Sequence, residues 1–218
     1  MNPAPYETFP ALEAQAWLRH GFTQRVEGLN VQVEREEALA KLDSHHREAI
    51  AQIGLAGKTF ITAQQVHGDT VVRVDTGTKA PVPNCDGLVT NDPGVVLGIY
   101  TADCGAIFLA DPAHRAIGLL HSGKKGTELK ILSVAIETMQ REFGSNPADL
   151  IVQLGPCIRP PHYEIDFPAQ IAEQASIAGV QSYSDCGRCT AADPATYYSY
   201  RRELGKTGRL LSVLGYAS

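Results

Sequence analysis

Residues 95–123 read VVLGIYTADCGAIFLADPAHRAIGLLHSG, and the fold class turns on this stretch. Val95 to Ala102 and Ala106 to Leu109 read as strands on either side of Asp103-Cys104-Gly105. Ala116 to Leu120 is a further buried strand that ends at His121. Upstream, Thr70 to Val74 (TVVRV) and Lys58 to Val66 (KTFITAQQV) read as strands separated by the turn His67-Gly68-Asp69. The Pro-rich Thr76 to Asn84 is a loop. Glu34 to Ile53 reads as a helix, because Ala38, Leu39, Leu42, Ala49, Ile50 and Ile53 fall largely at three- and four-residue steps and Gly54 supplies a stop. Before it, Tyr6 to Arg35 reads as short and irregular, with Trp17 and Phe22 as core anchors. Downstream, Glu128 to Phe143 is the strongest helix, carrying Leu129, Leu132, Ala135, Ile136, Met139 and Phe143 on one face up to Gly144. Leu150 to Leu154 is a strand, Phe167 to Ile177 a helix, and Leu210 to Gly215 the last strand. No repeat period interrupts this order. The expectation is an α+β fold, with mixed β-sheets layered with helices in a single domain spanning residues 1–218.

Composition narrows the function classes. With 44% hydrophobic and 20% charged residues in 218, the chain has the balance of a soluble globular protein. Its longest apolar runs, Val95 to Ile99 and Ala116 to Leu120, fall far short of the roughly 20 residues that span a bilayer, so no membrane partner is expected. Met1 to Pro10 reads neither as a signal nor as a transit peptide, and five cysteines without an export signal argue for reduced thiols and a cytoplasmic setting. A net charge of −5 speaks against a nucleic-acid partner. The seven histidines exclude a complete multicopper oxidase, which needs on the order of ten imidazole ligands. Copper is therefore not expected.

Three potential ligands terminate strand-like runs: His67 after FITAQQV, Cys104 after LGIYTAD and His121 after AIGLL. Neighbouring strand ends converge in a sheet, and two imidazoles with a thiolate form a catalytic zinc set that leaves a fourth position open. The competing reading is a buried core Cys with two hydrogen-bonded histidines. Gly118-Leu-Leu-His-Ser-Gly123-Lys124 imitates a phosphate-binding loop, but Lys125 stands where Ser or Thr must ligate magnesium. Cys186-Gly-Arg-Cys189 is a lone CxxC, read as two reduced thiols in a turn. Lys124-Lys125, Arg201-Arg202, and Lys206 with Arg209 are basic groups that either form an anion pocket or are solvated surface charge.

Several segments together resemble one family, the laccase-domain or YfiH-like proteins, formerly called multicopper polyphenol oxidoreductases and described as purine nucleoside phosphorylases with adenosine deaminase activity. They are His20-Gly-Phe-Thr-Gln-Arg25, Gln65-Val-His67-Gly68, Asp86-Gly-Leu-Val-Thr90, Thr101-Ala-Asp-Cys104, His121-Ser-Gly123, Gly155-Pro-Cys-Ile158 with Tyr163-Glu164, Cys189-Thr190, and Ser199-Tyr-Arg-Arg202 with Gly208-Arg209. The resemblance implies that His67, Cys104 and His121 hold one zinc ion. It also implies an α/β/β/α layering similar to the cytotoxic-necrotizing-factor catalytic domain. Where the family has His-Ala-Gly-Trp-Arg-Gly, this chain has His121-Ser-Gly-Lys-Lys-Gly126, so Lys125 keeps a charge but loses the planar fork of Arg. The family's Asn-Arg pair stands here as His46-Arg47. A Gly-rich insertion and a helical segment of the family are missing, which marks a shortened, divergent member.

The implied activity is zinc-dependent chemistry on purine nucleosides, either phosphorolysis or adenosine deamination, with a nucleoside and phosphate as small-molecule partners of a monomer or homodimer. Asp103, Cys104 and His121 are the expected catalytic residues, Asp103 orienting a ligand or water or else capping local backbone. Arg47 and Lys125 are the expected anion holders. Two other readings stand beside this one: a hydrolase or deamidase with Cys104 as nucleophile and His121 as base, and a catalytically degenerate member that keeps zinc.

Overall fold

The computed structural model describes residues 5–217. In chain order the elements are β1 (Tyr6–Glu7), α1 (Pro10–Glu13), β2 (Leu18–Thr23), α2 (Arg35–Gln52), β3 (Thr59–Thr62), β4 (Val71–Arg73), β5 (Gly87–Thr90), β6 (Val95–Thr101), β7 (Gly105–Asp111), β8 (Ala116–Ser122), α3 (Lys124–Glu128), α4 (Ile131–Phe143), β9 (Ile151–Leu154), α5 (Phe167–Ile177), β10 (Ser182–Asp185) and β11 (Leu210–Tyr216). The strands form two mixed sheets, ordered β1-β2-β11-β6-β3 and β10-β9-β7-β8-β5-β4. This is the expected α+β layering, and no helix of the described residues is long and apolar enough to cross a membrane.

Side-chain alternation explains how the layers stack. Along β6, Val95, Leu97 and Ile99 enter the core between the sheets together with Leu210 and Leu214 of β11, Phe108 of β7 and Ile117 and Leu119 of β8. The alternate residues face outward. Val96, Leu211 and Val213 pack with Ile50, Ile53 and Leu55 at the end of α2, whereas Ile107, Leu109 and Leu120 meet Leu132, Ala135, Ile136 and Met139 of α4. Strands covered on both faces carry continuous apolar runs, which is why the central stretch reads as strand from sequence. Truncating a side chain such as Phe108, which is fully buried, costs about 3–5 kcal/mol by cavity formation.

Four local expectations change. The stretch read as irregular holds β1, α1 and β2, and β2 pairs with β11 in the middle of a sheet. Its Leu18-Arg-His-Gly-Phe-Thr23 pattern hides the strand because His20 is buried as a hydrogen-bond acceptor: its Nε2 receives the Phe9 N–H at 2.8 Å and its ring stacks on Phe9. The long helix starts four residues earlier and is broken at Lys130, whose φ of 63° reverses the backbone between α3 and α4 and leaves Leu129 exposed. The strand expected to reach Val66 stops at Thr62, and Gln65 and His67 take left-handed conformations. Finally, β5 and β10 are strands that the reading did not assign, and His121 lies inside β8 rather than after it.

Candidate metal centre and its cavity

His121 sits opposite Ala106 in the β7–β8 register and shares the parity of Ile117 and Leu119, so it faces the gap between the sheets at its open end. Cys104 precedes β7, two residues before Ala106, in the tight turn from β6. His67 comes from the loop after β3. The structure brings the three together: their donor atoms lie within 4.8 Å of one another, and the two imidazole rings meet edge to face at 4.8 Å between centroids. Among the described residues this is the one cluster of three or more metal-binding side chains.

A buried carboxylate outside the expected set holds this arrangement. Asp86, fully buried, accepts His121 Nδ1–H at 2.8 Å and the His67 backbone N–H at 2.9 Å on Oδ1. Its Oδ2 accepts the N–H groups of Val66 at 3.1 Å and Gly68 at 2.7 Å. Its carbonyl oxygen also receives the His121 N–H at 2.7 Å. One residue thus fixes the tautomer of one histidine and the backbone of the other, leaving His121 Nε2 to face Cys104. From the other sheet, the Gln65 side chain binds the Tyr100 backbone in both directions, at 2.5 and 3.0 Å, so the His67 loop is tied to both sheets.

Asp103, expected beside the chemistry, turns away from it. At a φ of 87°, it accepts Thr190 Oγ1–H at 2.7 Å, Ser199 Oγ–H at 3.0 Å and the Arg201 N–H at 2.7 Å. It orients backbone segments rather than a ligand nitrogen, and so brings Arg201 to the site. Gly123 packs so closely that a Cβ there would lie 2.5 Å from Cys104 Sγ, which makes its lack of a side chain a condition for the sulfur's position.

The electrostatics suit a metal. Burial disfavours the Cys104 thiolate, but His121 and His67 more than offset it and bring the thiol down to about 6. Burial likewise opposes the His121 imidazolium, yet Cys104 and Asp86 raise it to about 9. Two imidazoles and a ready thiolate, with a carboxylate behind one imidazole, fit zinc as three ligands of a tetrahedral site. All three donor residues line a cavity of about 530 Å³, within the roughly 300–1,000 Å³ usual for small-molecule sites.

The other expected residues divide. Arg47 lies on the exposed face of α2, pairs with Asp43 at 2.8 Å and does not line the cavity. Lys125 is exposed and also outside it, while its neighbour Lys124 lines it. Of the basic groups noted from sequence, Arg201 and Arg209 reach the cavity, joined by Arg35 from the first turn of α2, which the sequence reading did not single out. Tyr100, Tyr163, Phe167 and Tyr200 add aromatic surface. Cys186 and Cys189 stand apart from the triad. Cys189 lies opposite Cys157, whose backbone N–H donates to the Arg188 carbonyl and whose carbonyl accepts the Thr190 N–H, and burial raises Cys186 to about 11.

The sequence profile of the multi-copper polyphenol oxidoreductase laccase family matches residues 18–175 and 162–217. A protein of Deinococcus radiodurans called purine nucleoside phosphorylase is 34% identical over 231 residues, covering 90% of this chain and 88% of the relative. Purine nucleoside phosphorylase Rv2149c of Mycobacterium tuberculosis is 31% identical over 201 residues, covering 80% and 79%. Among solved structures, YlmD from Geobacillus stearothermophilus superposes with a TM-score of 0.82 over 99% of this chain and 100% of its own, at 23% identity. The Neisseria meningitidis protein NMB0706 shares the fold at a TM-score of 0.81 and 20% identity, covering 98% of each chain.

Proposed function

Because the chain belongs to the multi-copper polyphenol oxidoreductase laccase family, whose matching relatives carry the name purine nucleoside phosphorylase, we propose that residues 1–218 act as one domain that processes purine nucleosides at a zinc site formed by His67, Cys104 and His121. The observation that carries this reading is the opening of the donor triad into a cavity with both aromatic and cationic walls. In phosphorolysis, a phosphate oxygen bonds to the sugar's anomeric carbon as the bond to the purine nitrogen breaks, giving ribose 1-phosphate and the free base. Bound zinc supplies Lewis-acid polarisation and acidifies water. The chain's own residues do the rest. Tyr and Phe faces stack the base, the cationic wall gathers the anion, and Asp86 keeps both histidines in place. Adenosine deamination is the finer second activity of the same reading.

Elemental analysis of purified protein, with a panel of adenosine, inosine and guanosine assayed with and without phosphate, tests it. Stoichiometric zinc and phosphate-dependent base release, both lost in His67→Ala, are the expected results. Metal-free protein with activity indifferent to His67→Ala overturns it.

One observation favours a second reading. Asp86 is hydrogen-bonded to His121, whose imidazole lies close to Cys104 and favours its thiolate, an acid–base–thiol arrangement suited to a nucleophilic cysteine. A zinc-bound thiolate is withdrawn from attack, so alkylation separates the two. Slow labelling that a chelator accelerates supports the metal, and fast labelling of the protein as purified supports the nucleophile.

A further inference from the structure

We propose that Arg209 and Arg35 form an oxyanion subsite on the cavity wall that takes inorganic phosphate, the role the sequence assigned to Arg47 and Lys125. The identity of the oxyanion rests on the phosphorolytic reading above, whereas the site itself rests on charge and burial.

Four cationic side chains line the cavity, Arg35, Lys124, Arg201 and Arg209, against one carboxylate, Asp103. That carboxylate is spent, since both of its oxygens are already filled by Thr190, Ser199 and the Arg201 backbone. In a chain of net charge −5 this is a local reversal of sign. Two of the cations have weaker claims. Arg201 lies within 3.3 Å of Glu164 and stacks on Tyr163, and Lys124 is exposed.

Arg209 differs from both. It is 9% exposed, and its Nη1 donates to the carbonyls of Thr207 at 2.7 Å and Gly208 at 2.9 Å. Nε and Nη2 have no acceptor among the described residues, and no carboxylate pairs with the charge there; burial and the neighbouring Arg35 work against the guanidinium, which Asp103 and Cys104 favour only through space. A cation removed from water without a paired counter-charge is costly unless something anionic completes it. The chain also invests in fixing its position: His46, buried in α2, donates Nε2–H to the Arg209 carbonyl at 3.1 Å, at the point where β11 begins. That contact joins α2, which carries Arg35, to the strand that follows Arg209. Two guanidinium groups from separate elements thus face one cavity, and their planar forks match the tetrahedral face of phosphate better than a lysine does. Arg47, paired with Asp43 and 77% exposed, has neither the access nor the free charge.

The test is calorimetric titration of the purified protein with inorganic phosphate at low ionic strength. Saturable binding is expected, weakened about tenfold or more in Arg209→Gln and Arg35→Gln and changed less than about twofold in Arg47→Gln and Lys125→Gln. Arg209→Lys, which keeps the charge without the fork, should fall between. If Arg209→Gln does not fold, Arg35→Gln and Arg209→Lys carry the test. No binding by the parent protein, or equal binding by the parent and both Gln variants, overturns the subsite. Loss of binding in Arg47→Gln alone does so too. Competition separates the sources of the oxyanion. Adenosine binding together with phosphate supports free phosphate, whereas displacement by adenosine 5′-monophosphate without simultaneous binding supports the phosphate of a nucleotide in the same subsite. Phosphate binding without phosphate-dependent base release from any nucleoside refutes the phosphorolytic reading and leaves the subsite. Base release unaltered in both Gln variants does the reverse.

Discussion

Two buried aspartates flank the donor triad and do opposite things. Asp103 is adjacent in sequence to Cys104, yet it directs its carboxylate away, into Thr190, Ser199 and the Arg201 backbone. Asp86 is remote from all three donors in sequence, yet it contacts the side chain of one and the backbone of another. The difference teaches that in a sheet protein chemical adjacency follows strand register and not chain order. Asp86 reaches His121 because β5 pairs with β8, and it reaches His67 because the loop after β3 folds back onto the start of β5.

The comparison breaks most sharply under truncation. Asp86→Ala leaves a buried imidazole N–H and three backbone N–H groups without an acceptor, and should lose about 3–5 kcal/mol of stability and about 10- to 100-fold in zinc affinity. Denaturant unfolding and competition with a chromophoric chelator measure the two effects. Asp103→Asn keeps the shape and tolerates the left-handed backbone, so its cost should be about 1–3 kcal/mol, with zinc affinity altered less than about threefold. If Asp103→Asn loses zinc as severely as Asp86→Ala, the division of labour is wrong.

The thiol sharpens the comparison further. In metal-free protein the Cys104–His121 ion pair exists between pH values of about 6 and 9. The thiolate contribution is lost as pH falls through the lowered cysteine value, and the imidazolium contribution as pH rises through the raised histidine value. Alkylation of Cys104 should therefore stay fast down to about pH 6. Because Asp86 favours the imidazolium that stabilises the thiolate, Asp86→Asn should move the midpoint upward, toward that of an ordinary thiol. Asp103→Asn should leave it in place. The smallest effect is Thr190→Val, which removes one of the donors to Asp103 and should cost about 1 kcal/mol, with the midpoint of alkylation and zinc affinity both unmoved.

Much of the fold was legible because buried strands write their hydrophobicity continuously, as β6, β7 and β8 do. His67, Cys104 and His121 stood out because each closes such a run. What escaped detection has a common physical origin. A strand such as β2 or β5 is defined by partners far away in the chain, and β2 carries a histidine whose burial depends on the Phe9 amide. The break at Lys130 involves a residue with no local preference for the left-handed conformation it adopts. Arg47 looked like an anion holder because it matches the Arg of the family's Asn-Arg pair, and the reach of α2 relative to the cavity is not written in residue type. Arg35, three turns earlier, has the same chemistry and the right end of the helix.

The turn at Lys130 has a use beyond shape. The short α3 is fastened at its own site, by Ser122 Oγ to Thr127 Oγ1 at 2.8 Å and by Gln174 Nε2–H to the Thr127 carbonyl at 2.8 Å, while α4 is anchored separately on its sheet. Gly126 and Thr127 are packed in place, which leaves the exposed Lys124 and Lys125 open to exchange. An engineer could rewrite them, restoring a Trp-Arg pair for example, and remodel the mouth of the cavity without shifting the register of the helix that holds the second sheet together.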